Sequence, residues 1–228
     1  MLMENERKLI VEYGNKLIEE HLTEGTAGNI SIYDPQNGYM AITPSGIAYK
    51  QIRPEDIVIM DLEGNRIDGQ CKPSSEYALH AIFYKLRDDV RCVVHTHSMY
   101  ATTLACMGEP LRSVHYAIAD TGVTELPLAP FHPFGTAELA QAVADNLGDT
   151  AKAIMLANHG IVTCDATLKG AFGLARTCEW CAEVQWRCMA TGKMNIISQE
   201  GMAETMELYK SYGQPKADGS INTAGYFG

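Results

Sequence analysis

The chain has no run of 18 or more apolar residues, no Walker or dinucleotide glycine fingerprint, no internal repeat and no low-complexity block. Without a long apolar run, no membrane-spanning helix is expected. Positive charge is also scarce: 18 Lys and Arg stand against 28 Asp and Glu, a formal net charge of −10. Such a surface repels phosphate backbones and anionic lipid, so neither nucleic acid nor membrane is an expected partner. Any phosphate must then be held by a local cradle. The segment 1–8 mixes both signs of charge, unlike a secretory signal, and a cytoplasmic location is expected. Nor is there an even cysteine count. Seven cysteines in 228 residues point to reduced thiols rather than a disulfide framework. Cys178 and Cys181 have CxxC spacing, but no second pair follows at zinc-ribbon spacing and no strand and turn precede them. They read as small buried hydrophobes in a helix.

What the chain does contain is 46% hydrophobic residues, enough for one ample core. One domain is expected over 1–212, followed by a Gly- and polar-rich carboxyl-terminal tail, 213–228. Leu9, Tyr13, Leu17 and His21, with Ile10 and Ile18, recur at helical spacing and predict an amphipathic helix over 5–23. Between 26 and 61, β-prone runs at 30–33, 39–42 and 57–61 alternate with Asp34-Pro35, Asn37-Gly38, Pro44-Ser45-Gly46 and Glu63-Gly64-Asn65. That alternation predicts an antiparallel meander. Helices are expected over 76–87, capped by Ser74 or Ser75, and over 100–107, 136–147, 168–191 and 199–212. Strands are expected within 90–98, ending in its two histidines, and at 125–128 and 152–156. Hairpins first and interleaved helices later predict an α/β sandwich with a mixed sheet.

The apolar run from Val90 ends in His95-Thr96-His97. On extended backbone, residues i and i+2 point to one side, so both imidazoles can reach one small object beside the strand end. Either they hold a metal ion or they form an ordinary hydrogen-bonded pair. His159 stands at another expected strand end and Glu76 in the first turn of a helix. Three neutral imidazoles and a carboxylate make a tetrahedral site suited to zinc, with about one net positive charge left to stabilise an oxyanion. Taken singly, Glu76 is also explained by the helix dipole and His159 by its turn. His80 shares a helix face with Glu76 and reads as a neighbour of the site or a core histidine. Gly25-Thr26-Ala27-Gly28-Asn29, Thr43-Pro44-Ser45-Gly46 and Ser74-Ser75 have the composition of an anion cradle, and equally that of turns and caps.

Taken in order, Thr26-Ala27-Gly28-Asn29-Ile30-Ser31, Thr43-Pro44-Ser45-Gly46, Ser74-Ser75-Glu76, His95-Thr96-His97 and Asn158-His159-Gly160 resemble the class II aldolase/adducin family. The likeness runs from the first helix to about Tyr212. His115-Tyr116, Phe134-Gly135-Thr136 and Ser211-Tyr212-Gly213 draw it toward the branch acting on L-fuculose phosphate. The fold this implies is a three-layer sandwich with a central mixed, mostly antiparallel sheet flanked by helices. The implied activity is zinc-dependent cleavage of a ketose 1-phosphate, L-fuculose 1-phosphate first, to dihydroxyacetone phosphate and an aldehyde, L-lactaldehyde. By the resemblance, His95, His97, His159 and Glu76 bind Zn2+, and Glu76 turns to acid/base work once substrate reaches the ion. Gly28, Asn29, Thr43, Gly46, Ser74 and Ser75 receive the phosphate. Tyr116 and Tyr212 act across a subunit boundary in a homotetramer with its active sites at the interfaces. The same scaffold leaves open a methylthioribulose-1-phosphate dehydratase, a pentulose-phosphate 4-epimerase, or a non-enzymatic adducin-like module.

Overall fold

The computed structural model describes residues 1–209, together with the backbone of 214–215 and 221–222. Helix α1 (Glu4–Glu19) leads into a meander of β1 (Asn29–Asp34), β2 (Tyr39–Ile42), β3 (Val58–Met60) and β4 (Arg66–Asp68). Then come α2 (Tyr77–Leu86), β5 (Cys92–Thr96), α3 (Met99–Met107), β6 (Leu128–Ala129), α4 (Ala137–Leu147), β7 (Ala153–Leu156) and β8 (Gly160–Asp165). The long α5 (Leu168–Ala190) and α6 (Gln199–Tyr209) complete the helices, and β9 (Gln214–Pro215) pairs with β10 (Ile221–Asn222). Most of the tail expected at 213–228, and Tyr212 with it, lies outside the described residues.

The turns of the meander are set by short acidic side chains. Asp34 accepts from the Gln36 N–H at 2.9 Å and from the Asn37 amide at 2.6 Å. Asp61 accepts from the Glu63 and Asn65 N–H groups at 3.0 and 2.8 Å. Such Asx turns satisfy backbone donors that reversing strands leave open. The eight strands of the main sheet run β4-β3-β2-β1-β5-β8-β7-β6. Only the β6–β7 pair is parallel, so the sheet is mixed and mostly antiparallel, with helices on both faces.

Strand β5 sits in the middle and is buried on both sides, as a continuous apolar run requires. Val93 faces α2 and α4, in a core with Leu79, Phe83, Leu139 and Val143. Cys92 and Val94 face α1 and the start of α5, among Ile10, Leu17, Phe172 and Ala175. A third cluster joins β7 to α3, α6 and the rest of α5, where Cys178 and Cys181 are buried as free thiols. Fully burying one such Phe or Leu stabilises the fold by about 1.5–3 kcal/mol.

Three local expectations are corrected. The inner face of α1 is Arg7, Ile10, Gly14 and Leu17, while Leu9 is 41% exposed. The face turns this way because the Tyr49 ring lies directly on Gly14 and the Arg7 guanidinium finds carbonyl acceptors below. His21 lies outside the helix with φ 55. Strand β8, from Gly160, was not expected, although it fills the centre of the sheet between β5 and β7. Strand β6 begins at Leu128, because Glu125 makes only an isolated bridge with Arg112.

Candidate active site

The site lies on the α2 face, where β5 ends, β1 begins and the β7–β8 turn passes. Asn29 of β1 is the register partner of His95, and Val162 of β8 is its partner on the other side. Side chains of paired residues share a face, so Asn29 and His95 point toward α2 together. Gly28, at φ 74, lies against β5 so closely that a Cβ would stand 2.6 Å from the His95 carbonyl oxygen. A Cβ on Gly160 would collide with the Thr96 carbonyl and crowd both histidine rings at 3.1 and 3.3 Å. Asn158 takes the left-handed conformation just before it, at φ 55. These backbone positions bring His159 over the end of β5.

The result is a triangle of imidazoles. Ring centroids of His95, His97 and His159 are separated by 4.8, 4.8 and 5.0 Å, and one ligand nitrogen from each lies within 4.8 Å of the others. His95 Nδ1 donates to the Ile161 carbonyl at 3.0 Å, which leaves its Nε2 as the lone-pair nitrogen. That atom faces His97 Nε2 at 3.0 Å. Glu76 closes the fourth side: Oε2 is 3.4 Å from His95 Nε2, and Oε1 is 3.5 Å from His159 Nε2. Burial holds His95 well below the usual imidazole range, and the neighbouring His97 and His159 push the same way. His97 and His159 are lowered as well, chiefly by burial. Neutral imidazoles are the form that binds a metal.

This donor set fits a divalent cation. Glu76 is buried, and its Oε1 has no hydrogen-bond partner. A buried carboxylate oxygen left without a donor is costly unless a charge or ligand meets it. Soft thiolates are absent from the cluster, and N/O donors with one carboxylate suit zinc and its divalent neighbours.

Behind the triangle runs a buried polar chain. Asn29 Nδ2 donates to Glu76 Oε2 at 2.9 Å, and Asn29 Oδ1 meets His80 Nε2. His80 Nδ1 is 2.6 Å from Ser31 Oγ, which is 2.6 Å from the Tyr84 hydroxyl. His80 is fully buried, and burial pushes it down to about 3. Of the two sequence readings of His80, the structure favours a neighbour of the site over a plain core residue.

In front lies a cavity of about 540 Å³. Gly28, Asn29, Gly46, Ser74 and Ser75 line one side, with Glu76, His97 and His159 at its floor. Thr43 is not on the lining. It is buried, and its hydroxyl accepts from the Ile30 N–H at 3.3 Å while its carbonyl accepts from the Ser74 N–H at 3.0 Å. It therefore fixes the loop beside the start of α2 from behind. Glu76 is the N-cap of α2 rather than a first-turn residue, and its N–H donates to Ser74 Oγ at 3.2 Å. Phe131, His132, Pro133 and Phe134 also line the cavity, and the segment is held against the helix start where Gly135, at φ 76, leaves no room for a Cβ beside the Ser75 carbonyl. Sequence reasoning picked out only Phe134 here. The signal for the rest was the Pro- and Phe-dense segment 130–134 ahead of a helix cap. Tyr116 is 42% exposed in an aromatic group with His115 and Tyr209 and does not line this cavity.

Comparison with known proteins places these features in context. The model of the class II aldolase and adducin N-terminal domain matches residues 8–186. A 5-deoxy-D-ribulose 1-phosphate aldolase of Bacillus thuringiensis serovar kurstaki is 41% identical over 94% of this chain and 100% of its own length. A 5-methylthioribulose-1-phosphate/5-deoxyribulose-1-phosphate aldolase of Rhodospirillum rubrum is 40% identical over 84% of this chain and 85% of its own. Among solved structures, an L-fuculose 1-phosphate aldolase superposes with a TM-score of 0.86 at 38% identity, covering 92% of this chain and 98% of that one.

Proposed function

The chain belongs to the class II aldolase and adducin family and is a lyase of the aldolase type, and from that premise we propose that it cleaves a ketose 1-phosphate whose far end is a methyl group. The products are dihydroxyacetone phosphate and a short aldehyde. The observation that carries the reading is the joining of three elements around one cavity: the imidazole triangle beside Glu76, the small polar cradle at the start of α2, and the apolar residues Phe131, Pro133 and Phe134.

His95, His97, His159 and Glu76 are the residues that would hold Zn2+. When bound, the ion supplies fixed positive charge for the electron pair released toward the C2 oxygen as the C3–C4 bond breaks. The rest falls to the chain's own groups. Gly28, Asn29, Gly46, Ser74 and Ser75, with Thr43 behind them, bind and orient the phosphate, aided by the dipole at the start of α2. Fixing the phosphate at a set distance from Glu76 holds C3 where its carboxylate can carry a proton. Tyr116 handles the proton of the C4 hydroxyl, and Tyr212 assists. The exposure of Tyr116 and its place off the cavity support its delivery by a neighbouring subunit, in a homotetramer. We take 1–212 as one functional domain.

L-Fuculose 1-phosphate, which gives L-lactaldehyde, is the substrate to which the late sequence motifs point. The likeness to the Bacillus aldolase along that protein's full length favours a second reading, 5-deoxy-D-ribulose 1-phosphate, which gives acetaldehyde. Phe131, Pro133 and Phe134 suit the methyl terminus that both share. Incubation of the enzyme with zinc, dihydroxyacetone phosphate and each aldehyde tests this. Carbon–carbon bond formation is expected, and the ratio of kcat/KM values in the cleavage direction separates the two substrates. Failure to condense with any aldehyde overturns the proposal.

A further inference from the structure

The buried chain behind Glu76 is polarised from end to end. A carboxylate oxygen can only accept, so Asn29 must present its amide N–H to Glu76 Oε2. Its carbonyl oxygen then faces His80 Nε2, which must carry the ring proton. The other ring nitrogen, Nδ1, is left to accept from Ser31 Oγ at 2.6 Å, and Ser31 in turn accepts from the Tyr84 hydroxyl at 2.6 Å. Every participant is buried: His80 and Ser31 are fully so, and Asn29, Tyr84 and Glu76 nearly so. Reversing any one link would turn a lone pair onto a lone pair somewhere in the chain, which in a dry interior costs more than the bond contributes. The chain also crosses the sheet boundary, since Asn29 and Ser31 belong to β1 while His80 and Tyr84 belong to α2.

We propose that His80 is a positioning residue for Glu76, held in its Nε2–H tautomer by Ser31 and Tyr84 so that Asn29 stays turned with its N–H toward the carboxylate. The proposal rests on the acid/base reading of Glu76. Its content is that one oxygen of Glu76 is pinned while Oε1, which has no donor, is aimed at His159 and the cavity. Asn29 is thereby more than a member of the phosphate cradle. Both ends of its amide are engaged behind the site, with one N–H left over.

The unmodified, metal-loaded enzyme decides the first part. A nitrogen–proton correlation spectrum of its histidines is expected to show the residue-80 imidazole as Nε2–H, and the Nδ1–H form overturns the proposal. That reading needs no variant. For the second part, exchange of the C3 proton of dihydroxyacetone phosphate with solvent deuterium is followed by NMR. His80→Leu is expected to lose about 10–100-fold in exchange and kcat alike, with KM and bound zinc little changed. His80→Gln, whose side-chain N–H can stand where Nε2–H stood, is expected to recover to within about threefold of the parent enzyme. Exchange in His80→Leu within twofold of the parent, while Glu76→Gln has lost it, removes the positioning role alone. Normal exchange in Glu76→Gln removes the acid/base reading and the proposal with it.

Discussion

Two buried charged side chains in this protein are treated in opposite ways. Arg7 on α1 is 1% exposed and has an acceptor for each of its nitrogens. Nε donates to the Leu2 carbonyl at 2.7 Å, Nη1 to the carbonyls of Pro54 and Ile57, and Nη2 to Asp68 at 2.8 Å. Glu76 is 6% exposed, yet one of its oxygens has no donor and the imidazoles of His95 and His159 crowd it. A fold seeking only stability satisfies a buried charge or does without it. The Arg7 region does the first, tying α1 to the loop before β3 and to β4. The Glu76 region leaves an oxygen open, which on the proposed reading is where metal or substrate is met. The contrast predicts that stability and chemistry separate by region.

The strongest test is Glu76→Gln. The amide keeps the shape of the side chain but cannot carry the proton, so C3-proton exchange and turnover should fall about 10²–10⁴-fold. The urea midpoint should hardly move, since the lost carboxylate was poorly paired. A large drop in stability with exchange intact would reverse the contrast. Arg7→Ala is the mirror experiment. It takes the side-chain donor from the Leu2 and Ile57 carbonyls, while the Pro54 carbonyl keeps the Ile57 N–H, and it opens a cavity beneath α1, so the expected loss is about 3–5 kcal/mol in urea denaturation. The folded fraction should turn over normally, and a parallel loss of zinc would show that the two regions are coupled.

How far this contrast was readable in advance depended on the kind of signal. The meander, the strand carrying His95, and the helices from α2 to α5 follow from period and punctuation, and the metal cluster follows from residue type at strand ends. The family resemblance carried the roles given to the phosphate cradle and to Tyr116 and Tyr212. What was missed depends on long-range register. Asn29 looked like cradle composition, and only its pairing with His95 across β1 and β5 turns its amide toward Glu76. Arg7 was outside the expected apolar stripe of α1, because nothing local reveals that the Pro54 and Ile57 carbonyls lie beneath it. Strand β8 was legible in Ile161-Val162-Thr163-Cys164 but was overshadowed by the turn before it. Tyr212, the last of the expected catalytic side chains, lies outside the described residues.

A smaller effect comes from pH. His80 is held neutral by burial, pushed down to about 3, whereas an unfolded chain protonates a histidine near 6.5. Above about pH 6.5 both states are neutral and the residue adds no pH dependence. As pH falls from 6.5 toward 3, the unfolded state takes up a proton that the folded state refuses, so unfolding becomes easier. Carboxylates titrate in the same window, which makes the informative quantity the difference between the parent protein and His80→Gln. The parent should lose stability more steeply on acidification, by an amount on the order of a few kcal/mol at the acid end. Equal slopes would mean that His80 is solvated and that the polar chain behind Glu76 is not dry.

The finest test asks which partner of Arg7 matters. Among the described residues Asp68 is its only charged one, at 2.8 Å, but that carboxylate is 38% exposed. Water screens such a charge, and an exposed pair contributes less than about 1 kcal/mol. Asp68 also accepts from the Gly69 N–H at 2.9 Å, so it has a role in its own turn that does not involve Arg7. Asp68→Asn keeps the size and an acceptor oxygen for either partner. Its expected cost is therefore below about 1 kcal/mol, several times less than Arg7→Ala, and it should shrink further at 1 M salt. A cost near that of Arg7→Ala, insensitive to salt, would mean that the ion pair rather than the backbone carbonyls secures α1. Arg7 would then resemble Glu76, a charge dependent on one partner, and the distinction between a satisfied and an open buried charge would need another basis.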